Sequence, residues 1–243
     1  MMFRTVLHSD LSRRELECLR DLFDGEYFRE HGPWDPDAPY GYAPADVHVG
    51  VFSDGRLLGH VGFQLRSIAV GVCDVAVAGT GGVLVRKESR GIGLGAALMR
   101  RAQASMRSFD VPGKPKAEFG YLGCRPEVVP FYQATGWRRI DVVECHVSMG
   151  EKRVSTGEGN AVGKGPGSAG KGPGSAGKGP GSAGKDPGSA GKDPGDAGKG
   201  PADAGDGPVS IVVSEGAPVL ICAASRDVGE WPAGPVDLRG KPW

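Results

Sequence analysis

Between Val83 and Arg100 the sequence reads V-L-V-R-K-E-S-R-G-I-G-L-G-A-A-L-M-R. An apolar run of β character ends at Val85, a short charged turn follows, and Arg90-Gly91-Ile92-Gly93-Leu94-Gly95 opens a helical pattern. Glycines at a strand-to-helix turn let backbone N–H groups crowd one point with no Cβ atoms in the way. These amides sit at a helix N-terminus, where the first donors lack internal partners and the dipole is positive. The stretch therefore predicts a strand, a tight turn and a helix around a phosphate cradle. Two bland readings compete with it: a turn that only packs helix on strand, and a dinucleotide fingerprint. The latter needs G-x-G-x-x-G, which this loop does not contain.

The rest of the chain narrows the setting. Its 243 residues suffice for one or two domains with a sizeable core. The formal net charge is zero, which gives no bulk electrostatic case for nucleic acid or an anionic membrane. No run approaches the roughly 18–20 apolar residues needed to span a bilayer, and the first residues lack the apolar core of a signal peptide. The five cysteines are scattered without C-x-x-C spacing, so they read as reduced thiols and the expected location is cytoplasmic, with no metal site. From Gly163 to Ala204 a seven-residue unit repeats, G-K-G-P-G-S-A drifting to G-K-D-P-G-D-A. Little in it can bury apolar area against chain entropy. The expectation is three segments: a core over 1–150, a disordered low-complexity insert over 151–207, and closing strands and tail over 208–243.

Along the core, Phe3 to Leu7 predicts a strand. Ser9 and Asp10 offer N-caps for a helix with an apolar stripe from Leu11 to Phe23, ending near Gly25. Glu26 to Asp46 reads as a long irregular loop rich in aromatics and acids. Strands are predicted over Val47–Phe52, Leu57–Val70 and Val72–Val85, with a hairpin at Asp54-Gly55. Glycines 79, 81 and 82 suggest a bulge or the close approach of another group. A helix over Gly93–Phe109, a strand over Glu118–Cys124, a short helix over Glu127–Thr135 and a strand over Arg138–Met149 follow. Val209–Val213 and Pro218–Ala223 supply a last pair of strands. Hairpins before βαβ crossovers predict a mixed α/β (α+β) sheet.

These residues resemble the GNAT superfamily of acyl-CoA-dependent N-acyltransferases. Arg90 to Gly95 fits its (Q/R)-x-x-G-x-(G/A) loop, and Val129-Pro130-Phe131-Tyr132-Gln133-Ala134-Thr135-Gly136-Trp137 is similar to its second signature. Phe23-x-Gly25-Glu26-Tyr27, His48, and Asp237-Leu238-Arg239-Gly240 with Trp243 resemble aminoglycoside 2'-N-acetyltransferases. Trp231-Pro232-Ala233-Gly234 and Arg125-Pro126 resemble nodulation N-acyltransferases. Two departures stand out: Gly81 where the aminoglycoside enzymes keep a glutamate, and Lys241 where they keep an acid. The resemblance implies a mostly antiparallel twisted sheet flanked by helices, acetyl-CoA as donor, a small-molecule primary amine as acceptor, and a homodimer as an allowed state. The alternatives are a longer acyl donor of the nodulation type and a non-catalytic acyl-CoA-binding module.

In this reading Arg90, Gly91, Ile92, Gly93, Leu94 and Gly95 hold the pyrophosphate. Val83, Leu84 and Val85 offer backbone groups to the pantetheine arm and the thioester carbonyl, along a strand that splays from its neighbour. Tyr132 is the candidate general acid for the leaving thiolate. The base stays open between Glu118, placed first, His60, Asp74 and a water chain; His48 and His60 read mainly as structural. Glu26, Asp35 and Asp37, among Trp34, Tyr40 and Tyr42, are candidates to receive a cationic amine by charge pairing and cation–π attraction. Trp243 and its carboxylate are implied to face the same amine.

Overall fold

The computed structural model describes residues 1–149, 209–215 and 218–243. The elements are β1 (Met2–Leu7), α1 (Arg13–His31), β2 (Val47–Ser53), β3 (Arg56–Val70), β4 (Cys73–Val85), α2 (Leu94–Ser108), β5 (Phe119–Gly123), α3 (Val129–Ala134), β6 (Arg138–Ile140), β7 (Val143–Met149), β8 (Val209–Glu215), β9 (Val219–Ala223) and β10 (Val236–Asp237). The repeat insert expected over 151–207 lies outside the described residues.

Capping chemistry sets the limits of α1. Ser12, rather than Ser9 or Asp10, is the N-cap: its Oγ accepts from the Glu15 N–H and the Glu15 carboxylate accepts from the Ser12 N–H. Such a reciprocal box is worth about 1 kcal/mol. The helix does not stop at Gly25. One interior glycine costs only about 1 kcal/mol, and Glu26 to His31 continue it until Gly32, at φ 75°, turns the chain. Glu26 and Tyr27 therefore belong to a helix face and not to the loop. α1 buries Leu19, Leu22 and Phe23 against Leu57 of β3 and Leu84 of β4, with Trp34 closing the cluster. α2 runs one residue inside its predicted limits at each end and buries Leu94, Leu98, Met99, Ala102 and Met106.

The strands form one sheet in the order β6-β9-β5-β4-β3-β10-β7-β8, with β2 also on β3 and β1 on β2. β3 is long enough to pair with β2 along its first half, β10 at its far end and β4 throughout. Among the described residues only β4–β5 and β7–β10 are parallel, which agrees with the mixed, mostly antiparallel fold expected of this sequence. The single strand predicted over Arg138–Met149 is two. Asp141 and Val142 separate β6, which pairs with β9, from β7, which pairs with β8 and β10. β8 and β9 thus take different partners and do not pair with each other.

A candidate acyl-transfer site at the open edge of β4

β4 and β5 are in register at Val77–Phe119, Ala78–Gly120 and Gly79–Tyr121, and there the ladder ends. From Thr80 to Val85, β4 keeps β3 on one side and, among the described residues, no strand on the other. On that side no described strand pairs with Val83, Leu84 or Val85, an edge of the kind an extended, amide-bearing ligand can join, although the Val85 carbonyl already accepts from Arg90. β4 also carries a bulge. Gly59 and His60 face Val85 and Leu84, whereas Gly62 faces Gly81, so Gly82 and Val83 together stand against the single residue Val61, one residue in excess, and Gly82 takes φ +58°.

The cradle follows directly. Gly91 and Gly93 both sit at φ +81°, a region costly to any residue with a side chain, and a Cβ at either would meet open space. Gly93 is the N-cap of α2 and brings no side-chain acceptor, so the first N–H groups of the helix stay available to an anion. Arg90 is held by its own strand, its Nε donating to the Val85 carbonyl at 2.8 Å. Its guanidinium also pairs with Glu26 at 3.2 Å, and Lys87 approaches the same carboxylate at 3.7 Å. Glu26, expected to receive the amine, thus pairs with Arg90 and Lys87 beside the glycine turn. Arg86 anchors this end of β4, its buried guanidinium donating to the Leu57 carbonyl at 2.7 Å and to Asp21 of α1.

The two signatures meet in space. A Cβ on Gly95 would lie 3.3 Å from the Phe131 ring, so the first turn of α2 packs on α3. Tyr132 follows on α3, nearly buried, with Phe131 and Trp137 edge-on to its ring. Burial first, then the neighbouring Cys124 and Tyr27, raises its phenol to about 12. It stays protonated at neutral pH, as a proton donor must.

A sequence model of the acetyltransferase (GNAT) family matches residues 16–137, half of the chain. The chain belongs to the GNAT family. No curated protein matches it. Among solved structures, ElaA of Escherichia coli is similar at 21% identity, covering 59% of this chain and 91% of that one with a TM-score of 0.43. An acyl-CoA N-acyltransferase from Pseudomonas aeruginosa shares 22% identity over 59% of this chain and 90% of its own, with a TM-score of 0.42. A GNAT family acetyltransferase from Brucella melitensis, solved in complex with acetyl-CoA, shares 18% identity over 56% and 83%, with a TM-score of 0.40. The family assignment rests on the sequence match.

Across β4 from the cradle, the GNAT domain holds a cavity of about 60 Å³ lined by Phe23, Trp34, Tyr40, His48, His60 and Trp243 together with the β4 glycines. Two larger grooves, of about 490 and 870 Å³, border α1, and neither includes the open edge of β4. Trp243 explains two glycines. A Cβ on Gly79 would lie 1.8 Å from its indole, and one on Gly81 would lie 2.7 Å from its backbone carbon. The tail is fastened here: the Trp243 Nε1–H donates to Gln64 at 3.1 Å, and the Arg66 guanidinium lies 4.1 Å from the indole centre and donates to the Lys241 carbonyl at 2.7 Å.

Of the remaining expectations, Trp243 and His60 line the cavity, while Asp35 and Glu118 do not. Asp35 is exposed, and its carboxylate accepts from the Asp37 N–H in a local turn. Glu118 lies just before β5, at the opposite end of the β4–β5 pair from the opening: its N–H donates to Ala76 and its carboxylate pairs with Arg226 at 3.4 Å. Asp74 is bound to Arg239. None of these three carboxylates is positioned to take a proton at the open edge. Sequence reasoning kept His60 among the candidate bases but read both His48 and His60 mainly as structural; both are buried and line the cavity together.

Proposed function

We propose that this GNAT domain transfers an acetyl group from acetyl-CoA to the primary amine of a small cationic molecule. The observation that carries the reading is the edge of β4 from Thr80 to Val85, unpaired by any described strand on its β5 side, followed after the short turn at Lys87–Ser89 by the glycine cradle of α2, whose N-cap Gly93 brings no side-chain acceptor. The residues fit the donor: Gly91 to Gly95 would take the pyrophosphate and Val83 to Val85 the pantetheine amides, with one β4 N–H aimed at the carbonyl oxygen. When bound, acetyl-CoA supplies an activated acyl group as a thioester. The chain's own part is to hold it extended, to present the amine from the cavity side, and to manage two protons, one leaving the amine and one reaching the departing sulfur.

Tyr132 is assigned the second proton. The acceptor is read from the cavity walls: Phe23, Trp34, Tyr40 and Trp243 make an aromatic lining of the kind that suits a cation, with one face of Trp243 already held by Arg66. The volume admits the tip of an amine and leaves the rest of the molecule outside.

The test is a thiol-release screen with acetyl-CoA across primary amines, aminoglycosides included, paired with calorimetry for acetyl-CoA alone. Binding without turnover on any amine would overturn the acetyl-transfer reading. On an amine that turns over, Tyr132→Phe is expected to lower kcat by about a hundredfold with the acetyl-CoA KM unchanged. Full turnover in that variant would remove the general-acid role.

A further inference from the structure

The open edge of β4 has a closed end. β4 and β5 share their last rung at Gly79 and Tyr121, and beyond it the two strands no longer pair with each other. In the donor layout above, the amides of the pantetheine arm lie along Val83 to Val85. The thioester then falls next along β4, near Gly82 and Gly81, and its acyl chain points at the last rung. That rung is fixed. Tyr121 is 1% exposed, its hydroxyl donates to the Glu144 carboxylate at 2.6 Å, and its ring stacks on Trp231 with centroids 5.9 Å apart. An acyl chain cannot continue straight on between the strands.

Turning aside is closed as well. One face of β4 is filled by the buried core under α2, where Ala78, Leu122 and Tyr132 share a cluster with Leu98 and Met99. On the other face stands Trp243. A Cβ on Gly79 would lie 1.8 Å from its indole, and one on Gly81 would lie 2.7 Å from its backbone carbon. The Trp243 and Tyr121 rings meet edge to face with centroids 5.8 Å apart, so indole and rung make one wall. The indole is tied in place. Its Nε1–H donates to Gln64 at 3.1 Å, the Arg66 guanidinium lies 4.1 Å from its centre, and Pro242 before it accepts from the Ala43 N–H at 2.8 Å. What remains is the cavity of about 60 Å³. At roughly 10–15 Å³ for each water-sized group, it takes about five such groups. On that measure an acetyl methyl with the attacking nitrogen and its first carbon needs about three, and a hexanoyl chain in place of the acetyl needs about seven.

We propose that Trp243 sets the acyl length of the donor, as the end wall of the acyl site, and confines transfer to the shortest acyl groups. This rests on the acyl-transfer reading above. A longer chain has one outlet, the cavity through which the amine must come. It therefore binds at the expense of the acceptor and does not react with it. The wall also accounts for Gly79 and Gly81, since a side chain at either would push the indole off the strand. Trp243 packs on Tyr121, itself stacked on Trp231, within an apolar cluster that includes Phe119 and Val77. Removing the indole joins the cavity to that apolar surface, which suits a methylene chain.

The experiment measures thiol release from acetyl-CoA and from hexanoyl-CoA with one amine that turns over, in the full chain and in its Trp243→Ala variant. The parent is expected to favour acetyl-CoA by about a hundredfold or more in kcat/KM, and Trp243→Ala to shrink that preference by about tenfold or more. Trp243→Phe, with a smaller ring, should shift it less and in the same direction, and it decides the case in which the alanine variant gives no turnover. Phe23→Leu enlarges the same cavity away from the rung, and it should keep the preference within about threefold of the parent. A parent that uses both donors equally overturns the wall, and so does a preference unchanged by the Trp243 variants. Equal shifts in the Trp243 and Phe23 variants mean a generally loosened site and overturn the assignment to Trp243. Calorimetry with the two acyl-CoAs separates this from the reading beneath it. If neither binds, or if both bind and no amine is acylated, acyl transfer itself is overturned and the wall with it. Acetyl-CoA bound and used, with no preference for length, overturns the wall alone.

Discussion

The proposed donor and acceptor sides of this site are built by different means. The donor side is nearly continuous in sequence: Val83 to Gly95, with Phe131 and Tyr132 brought onto it by one helix contact. Its chemistry is backbone chemistry, fixed by where glycine stands. The acceptor side takes Phe23 from α1, Trp34 and Tyr40 from the following loop, His48 and His60 from two strands, and Trp243 from the far end of the described chain. Its chemistry is side-chain chemistry, fixed only by the tertiary fold. A GNAT domain can therefore keep one donor grammar while its acceptor cavity changes with every loop and tail that reaches β4.

The largest effect should come from breaking the donor side alone. Gly93→Val places a branched side chain at φ +81° and fills the open space over the helix N-terminus. Acetyl-CoA affinity by calorimetry should fall by about a hundredfold, or about 2.7 kcal/mol. Gly79→Ala pushes a methyl into the Trp243 indole and disturbs only the acceptor side. There, acetyl-CoA affinity should stay within about threefold of the parent while amine turnover falls. Comparable losses of donor affinity in both variants would mean that the two sides are not separable.

That separation also explains what was legible in the sequence. The strand-turn-helix cradle, the short helix with Tyr132 and the sheet class could be read because each depends on neighbours within a few residues. Gly79 and Gly81 announced a close approach without saying of what, since the answer, Trp243, lies far along the chain. Glu26 was misplaced because Gly25 reads as a helix stop, whereas tertiary packing of Leu22 and Phe23 and the Glu26–Arg90 pair carry α1 past it. The break at Asp141 and Val142 was hidden in a run with uniform β character. The histidines were the least legible. Two single histidines on separate strands have no local motif, and only the register of β2 on β3, which pairs His48 with Gly62 and Gly50 with His60, sets their rings side by side.

Acid sharpens the comparison at intermediate size, because it acts on the acceptor side and not on a glycine turn. His48 and His60 are held neutral in the fold, at about 2 and about 4, but titrate near 6.5 when unfolded. Below pH 6.5 the unfolded chain binds more protons than the folded one, so stability falls as pH falls, by up to about 1.4 kcal/mol per pH unit for each histidine. Urea unfolding between pH 6.5 and 5, above the carboxylate range, should show this decline. Stability that stays flat across that interval would mean that the rings take up protons in the folded state as readily as in the unfolded one.

The smallest effect belongs to a residue on neither side. Glu118 carries the one carboxylate near β5 that sequence reasoning placed first as the base, and the fold puts it at the wrong end of the strand pair. Its N–H bonds to Ala76, while the open edge reaches Leu84, and at about 3.3 Å per residue those positions lie roughly 26 Å apart along β4. Its partner Arg226 is partly exposed and has a second carboxylate in Glu230 at 3.3 Å. A pair of this kind contributes less than about 1 kcal/mol. Glu118→Gln should therefore keep kcat within about twofold and shift the melting temperature little. A large loss of kcat without loss of stability would put the base back on β5, and it would require β4 and β5 to pair in a register other than Val77 with Phe119.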